Sequence, residues 1–347
     1  MRAGARRRRG SARPEGRTAR QGNAGRNAVR TTAIGASGLK VPAIGFGTSA
    51  LGDMPDTYGY AVDEERARAT VRAILARPDG FIDSSRNYGM GRSEERVGQV
   101  VRELGGWPEG RVLSTKLDRD METNLLDGTQ AWRSLEASLK ALGRDRVEIL
   151  HLHDPEYASD LRDVTGPDGA LAALMRMKEQ GLATAVGLAA GRIDVMMPLM
   201  RDWDLDAIIT HNRYTLVNRN AEPMIELAEA RGIAVLNAAP YGSGALAKGL
   251  AVYGRYAYQD GRPETAAVAR IEEICARHGV APGAAALQFS LRDDRIAATI
   301  CGVSKPERVA QTLDWAEAPI PEAVWRELMA VEFGTDDPEA TRDYKPG

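Results

Sequence analysis

From residue 34 onward, short β-prone runs alternate with amphipathic helical stretches, and this alternation restricts the fold more than any other feature of the chain. The runs are Ala43–Gly47, Gly80–Ser84, Val112–Lys116, Val147–His153, Thr184–Leu188, Ala207–His211, Ile233–Asn237 and Ala297–Cys301. Several are nearly continuous apolar sequences, the pattern of parallel strands covered on both faces. Between them, Ala67, Val71, Ile74 and Leu75 share one helical face, as do Val97, Val100, Val101 and Leu104, and Trp132, Leu135, Leu139 and Leu142. Further helices are predicted over Leu171–Gln180, Pro223–Arg231, Thr265–His278 and Pro321–Ala330. Gly181, Gly232 and Gly279 each follow a helical run, where a left-handed glycine closes the last turn. Eight strands with helices between them predict an α/β fold, a (β/α)8 TIM barrel. A doubly wound sheet shares the alternation, which alone does not fix closure. Residues 35–42 read as a small turn before the first barrel strand. No interior linker interrupts the pattern, so residues 33–347 are expected to form one domain.

Residues 1–32 do not belong to that pattern. Residues 1–30 hold ten arginines and a single acid, Glu15, with almost no large apolar side chain. Such a segment cannot bury enough surface to fold, so a disordered Arg-rich N-terminal extension is expected. An arm for an anionic surface and a targeting peptide are the competing readings. A transit peptide needs an amphipathic face and a secretory signal needs an apolar core, and neither is present. The remaining 317 residues carry 36 bases against 47 acids. That acidic body argues against nucleic-acid binding. No run of about 18 apolar residues exists to span a membrane. Cys275 and Cys301 are the only cysteines, too few for a disulfide framework or a cysteine zinc site, which suits a reducing, cytoplasmic setting. No metal site is expected.

Two glycine-rich segments imitate a dinucleotide fingerprint. Gly45 to Ala50 reads G-x-G-x-x-A, and Gly242 to Ala247 does the same. The fingerprint requires a helix opening at the loop. Pro55, Gly59 and other turn-formers follow the first, and a glycine-containing loop follows the second, so both are ordinary turns after strands.

In a barrel the chemistry lies where the strands end at the C-terminal face. There the sequence places Asp83, then Tyr88 in the loop beyond it, Lys116 and His153. A tyrosine hydroxyl titrates near 10, and a neighbouring ammonium favours its phenolate. Lys116 can supply that charge, Asp83 can hold Lys116, and His153 can hydrogen-bond a substrate oxygen while Tyr88 donates or takes a proton. Each residue alone has a structural explanation: a cap, a turn, a loop contact. His151 shares the strand parity of His153, so only the strand-end position favours His153.

The run FIDSSRNYGMGRSEERVG, with STK and LHLHDPE at the following strand ends, resembles the aldo-keto reductase superfamily. GLKVPAIGFGT resembles that family's first strand, AAPYGSGALAKG its loop after strand seven, and CGVSKPERVAQTL its loop after strand eight. The resemblance runs from about Gly35 to Trp325. It implies a (β/α)8 barrel that uses NADPH or NADH, with Asp83, Tyr88, Lys116 and His153 as the catalytic residues. It implies cofactor contacts from Thr48, Asp83, His211, Asn212, Pro240, Tyr241, Gly242, Ser243, Gly244, Gly302, Ser304, Lys305 and Arg308. Lys305 and Arg308 are the candidates for a 2′-phosphate, which favours NADP over NAD.

The chain departs from the family pattern at four places. Ala189-Ala190 replaces a Ser-Asn pair that grips the nicotinamide amide. His211 replaces a glutamine and is a substitute donor. Ala238 replaces a stacking tyrosine, and Gly302 replaces a lysine. HDPEYASD and DGALAALMRMKEQG resemble the aldose 1-dehydrogenase and pyridoxal dehydrogenase branch. That likeness implies a sugar substrate oxidised to its lactone, with Asp154 and Glu156 as acceptors for sugar hydroxyls. A general aldehyde or ketone (or pyridoxal) reductase or dehydrogenase is the second reading. A non-catalytic nucleotide-sensing subunit is the third, and the intact four-residue set disfavours it.

Overall fold

The computed structural model describes residues 30–259 and 262–341. An antiparallel hairpin, β1 (Thr31–Ala33) and β2 (Lys40–Pro42), precedes eight parallel strands. These are β3 (Ile44–Gly47), β4 (Phe81–Asp83), β5 (Val112–Leu117), β6 (Val147–His153), β7 (Ala183–Ala189), β8 (Ala207–His211), β9 (Ala234–Ala238) and β10 (Ile296–Gly302). Each pairs with its neighbours in sequence, and β10 closes on β3 to complete a barrel. The helices are α1 (Pro55–Tyr58), α2 (Glu64–Leu75), α3 (Arg92–Glu103), α4 (Gly128–Leu142), α5 (Leu161–Thr165), α6 (Ala170–Glu179) and α7 (Ile193–Asp202) in the first part of the chain. They continue with α8 (Glu222–Arg231), α9 (Ala245–Lys248), α10 (Pro263–His278), α11 (Pro282–Leu291), α12 (Pro306–Glu317) and α13 (Glu322–Met329). Among the described residues, no helix is long and apolar enough to cross a membrane.

The expected strands are all present. β6 and β8 have the expected bounds, and the others differ by one residue at one end or at both. The helices start where local chemistry satisfies their first N–H groups. Asp63 accepts from Arg66 N at the head of α2, and Asp127 accepts from Gln130 N at the head of α4. Gly232 and Gly279 close α8 and α10 in the left-handed conformation. Periodicity does not reveal α7 or α11. Pro198 lies inside α7, and every residue of α11 after Pro282 is buried, so that helix has no exposed polar face to mark a period. Both glycine-rich decoys lead into short turns rather than long helices: a four-residue 3-10 turn at Ser49–Gly52 and the four-residue α9.

One segment is more ordered than the sequence suggests. Residues 35–42 are not merely a turn: Thr31 and Thr32 pair with Pro42 and Val41 across the hairpin. The expected boundary at residue 32 therefore moves toward the N-terminus, while residues 1–29 of the Arg-rich leader lie outside the described residues. The hairpin caps the barrel interior. Ile34 and Val41 are fully buried and join Phe81, Ile149, Leu236 and Ile300 in an inner apolar cluster. A second, larger cluster lies between the strands and the surrounding helices.

Between β5 and α3 this outer layer holds a buried carboxyl. Thr115 points outward and donates to Glu94 Oε1 at 2.6 Å, while Arg86 approaches Glu94 Oε2 at 3.6 Å. Burial dominates and pushes the Glu94 carboxyl up to about 7. The folded state thus holds this proton more tightly than the unfolded chain does. The resulting stability is complete below the ordinary carboxylate range and is lost as pH rises through about 7. Glu94→Gln should therefore stabilise the protein at pH 8 by roughly 3 kcal/mol in urea unfolding and at pH 5 by only about 1 kcal/mol or less. A variant no more stable than the parent at pH 8 would contradict this.

Candidate active site

Strand register gathers the polar strand ends. Asp83 pairs with Ser114, Lys116 with His151, and His153 with Ala189, stepping around the barrel mouth. Tyr88 follows on the loop after β4, and that loop is held by direct backbone contact. Gly89 has φ +62°, and a Cβ there would lie 1.9 Å from the Gly52 carbonyl oxygen. A Cβ on Gly52 would meet the Tyr88 carbonyl oxygen at 2.7 Å. Only two glycines allow the segments to approach so closely. Arg92 ties them together through Nε to Gly52 O at 2.8 Å and Nη2 to Asp53 O at 2.9 Å.

Lys116 is almost fully buried. Its Nζ donates to Asp83 Oδ2 at 2.8 Å and to Ser84 O at 2.6 Å. The same Nζ lies 4.7 Å from the Tyr88 ring centroid. The sequence leads one to expect this ammonium to lower the tyrosine's pKa. In the structure the balance is opposite. Burial, then the carboxylates of Asp83, Asp154 and Asp118, push Tyr88 well above the usual phenol range. Tyr88 is thus held as a neutral proton donor.

The structure also separates the two histidines that share a strand face. His151 is fully buried, with Nδ1 3.3 Å from Ser114 Oγ, and burial drives its pKa well down. His153 lines the pocket beside Tyr88, with ring centroids 5.9 Å apart and planes 86° apart. Its Nδ1 lies 2.5 Å from Asp118 Oδ1. Asp118 is absent from the sequence reading. It lies two residues beyond Lys116 on the same side of the strand, a spacing that offered a signal.

One pocket contains Asp83, Tyr88, Lys116 and His153 and extends over the loops after β8, β9 and β10. Of the expected cofactor contacts, His211, Asn212, Tyr241, Ser243, Gly244, Gly302, Ser304 and Arg308 line it. Thr48, Pro240, Gly242 and Lys305 do not. Thr48 turns inward, donating to Asp83 O at 3.0 Å and accepting from Ser93 Oγ at 2.8 Å. Pro240 is buried. Gly242 serves packing: a Cβ there would meet the Tyr256 ring at 2.0 Å. Lys305 is exposed at the head of α12. Lys248, not anticipated from sequence, lines the pocket with Arg308, and together they form a cationic end. Burial, then the charge of Arg308, lowers the Lys248 pKa. Arg66 reaches the same loop, donating through Nε to Ser304 O at 2.7 Å.

His211 and Asn212 are held from the far end of the chain. After α13 the chain returns along the loop beyond β8, with Gly334 N donating to Val217 O at 2.9 Å and Arg219 N to Gly334 O at 2.8 Å. It delivers Glu339, buried, into the pocket lining. Glu339 Oε1 accepts from Asn212 Nδ2 at 2.5 Å, and Oε2 lies 3.0 Å from His211 Nε2 and 3.3 Å from Arg213 Nη1. His211, expected as a substitute donor, therefore has its Nε2 committed to Glu339. Ala189 and Ala238 line the pocket nearby. Five non-glycine residues with positive φ line it as well: Asp154, Asn212, Ala239, Ser243 and Tyr258. Strained backbone of this kind collects at functional sites.

Pocket chemistry fits a nicotinamide dinucleotide. The cationic end suits phosphate groups, a Cβ at Gly302 would meet nothing within 4 Å, and the proton-donating end carries Tyr88. Comparison with known proteins points the same way. The profile of the Aldo/keto reductase family matches residues 43–332. The chain is 29% identical over 322 residues to a D-threo-aldose 1-dehydrogenase of a Pseudomonas species, covering 85% of this chain and 95% of that protein. It is 28% identical over 342 residues to the pyridoxal 4-dehydrogenase of Microbacterium luteolum, covering 86% and 96%. The fold superposes on the holo form of an aldo-keto reductase from Bacillus halodurans with a TM-score of 0.70 at 20% identity, covering 90% of this chain and 99% of that one. With the family profile spanning the barrel, the chain belongs to the aldo/keto reductase family of NAD(P)-dependent oxidoreductases.

Proposed function

We propose that this oxidoreductase is an aldose 1-dehydrogenase, taking hydride from C1 of a cyclic sugar and releasing the lactone. One observation carries the sugar reading: three carboxylates, those of Asp154, Glu156 and Glu339, line the same pocket as Tyr88 and His153. Glu156 Oε1 accepts from Gly191 N and Arg192 N at 2.8 and 3.1 Å, while Oε2 is buried with no hydrogen-bond partner. A buried acceptor left unpaired is costly unless a ligand satisfies it, and vicinal sugar hydroxyls are donors of the right kind. A simple aldehyde offers nothing to these groups. The likeness to the D-threo-aldose enzyme supports the same choice.

When bound, the nicotinamide cofactor supplies or accepts the hydride. Tyr88 Oη exchanges the proton with the substrate oxygen, giving it up in reduction and taking it in oxidation. Lys116 is the cation that favours the phenolate, and Asp83 fixes it in place. His153 directs Nε2 at the substrate oxygen. Lys248 and Arg308 bind the cofactor's phosphate groups, and their pairing at one end favours NADP over NAD.

Turnover of a panel of aldoses, pyridoxal and simple aldehydes, run separately with NAD and NADP, tests the substrate class. An aldose is expected to have the highest kcat/KM. A simple aldehyde turned over best, with no aldose oxidised, would overturn the sugar reading. Pyridoxal as the best substrate would replace it with the vitamin-aldehyde alternative. Nucleotide binding without any turnover would favour the sensor.

Tyr88→Phe should lower kcat by about 100-fold or more while leaving cofactor affinity nearly unchanged, since general acid–base catalysis is worth that much. An unchanged rate would refute the proton-transfer role. Because Tyr88 is pushed above the usual phenol range, the limb of the oxidation pH profile that belongs to it should still be rising at pH 10, apart from any bend at lower pH. Lys248→Ala and Arg308→Ala should each weaken NADP binding on the order of tenfold and NAD binding much less, given the strength of charge-assisted phosphate contacts. Equal losses for both cofactors would contradict the NADP preference.

A further inference from the structure

Two buried carboxylates stand behind the pocket residues Lys116 and His153, and only one of the pairs is evident from sequence. Asp83 is paired with Lys116. Asp118, at the end of β5, is the other, and its oxygens are fully engaged. Oδ1 lies 2.5 Å from His153 Nδ1, while Oδ2 accepts from Ser85 Oγ at 2.7 Å and from Asn87 N at 3.0 Å. Ser85 and the Asn87 amide are neutral donors, and Lys116 is engaged by Asp83 and Ser84. Among the described residues, His153 is thus the one titratable basic group in hydrogen-bonding contact with the Asp118 carboxylate. A buried carboxylate needs a countercharge, and a carboxylate on Nδ1 also fixes which nitrogen carries the outward-facing proton.

We propose that Asp118 is a positioning residue that holds the Nδ1 proton and the positive charge of His153, so that Nε2–H meets the substrate oxygen as a charged donor. This rests on the oxidoreductase reading above. No bond is made or broken by Asp118 or His153. Tyr88 moves the proton, and the imidazolium stabilises the charge that develops on the same oxygen. A charge-assisted hydrogen bond is about twice as strong as a neutral one, so the gain appears in the transition state.

The groups around His153 act in both directions, and the carboxylates prevail. Asp118 and Lys116 come from β5, Tyr88 from the loop after β4, and His151 and Asp154 from its own strand. Burial opposes the charge, but the Asp154 and Asp118 carboxylates outweigh it and raise the His153 pKa, with Lys116 acting against them. Asp118 is lowered in turn: burial opposes its charge, but His153, Ser85 and Asn87 prevail. His153 Nε2 also lies 3.7 Å from Asp154 Oδ1, on the pocket side.

The chain has four histidines, so a 15N titration of its imidazoles by NMR resolves each one without any substrate. In the full-length protein, His153 should carry its Nδ1 proton and titrate above the ordinary histidine value. Asp118→Asn should lower that titration by about one unit or more, and Asp118→Glu should restore it. The bend in the pH profile of kcat/KM for oxidation should move with it, while cofactor affinity stays the same. A His153 that titrates at or below the ordinary value in the wild type would overturn the proposal, whether or not the variants fold. So would a titration unmoved by Asp118→Asn, or a variant that loses activity equally at every pH. A protein that turns over no substrate yet titrates as expected would break the oxidoreductase reading alone.

Discussion

The ion pair between Lys116 and Asp83 is the constraint around which the rest of the site is arranged. Removing both charges from water is expensive, and their attraction repays it only when geometry is fixed and remaining donors are satisfied. The barrel provides that fixity. β4 and β5 are adjacent and parallel, their register sets Asp83 beside Ser114, and Ser114 Oγ donates to Asp83 Oδ1 at 2.9 Å. The ammonium then lies over the ring of Tyr88, 4.7 Å from its centroid, and the tyrosine's loop is locked by the Gly52–Gly89 contact. A flexible tyrosine or a free lysine in this position would lack that geometry.

Burial gives each charged group a defined sign. Tyr88 is held protonated, and Lys116 is already committed to Asp83. The nearby positive charge therefore does less to lower the phenol than the strand-end pattern suggests. The pairing of His153 with Asp118 brings a second countercharged unit to the same face. In this account a hydride and a proton are exchanged beside buried, already oriented charged groups, which is where such interactions act most strongly. The C-terminal segment contributes to the same pocket: Glu339 lines it together with Ala189 and Ala238.

Much of this was legible in the chain because barrel physics leaves a mark on sequence. Strands buried on both faces read as apolar runs, so β6 and β8 have the bounds that composition alone suggests. Several helices with one dry face are visible in the sequence, whereas α7, α12 and the almost wholly buried α11 are not. Asp83, Tyr88, Lys116 and His153 stood out because strand ends at one barrel face are where ionisable groups are least needed for packing. Asp118 was harder to see: in Leu117-Asp118-Arg119-Asp120 it looks like one more turn acid, and only the fold brings it against a ring from the next strand. Glu339 carries no local signal at all, since its partner His211 lies 128 residues away. Lys248 was hidden for the same reason, a short helix that only tertiary structure turns toward the pocket.

The claim on which the account stands is direct hydride transfer from C1 of a sugar to the nicotinamide ring. An aldose deuterated at C1, turned over with oxidised cofactor, tests it most directly. The account predicts deuterium at nicotinamide C4, on one face only, with one lactone formed per cofactor reduced. Lactone formed with the label released to water, or with no label in the cofactor, would contradict it.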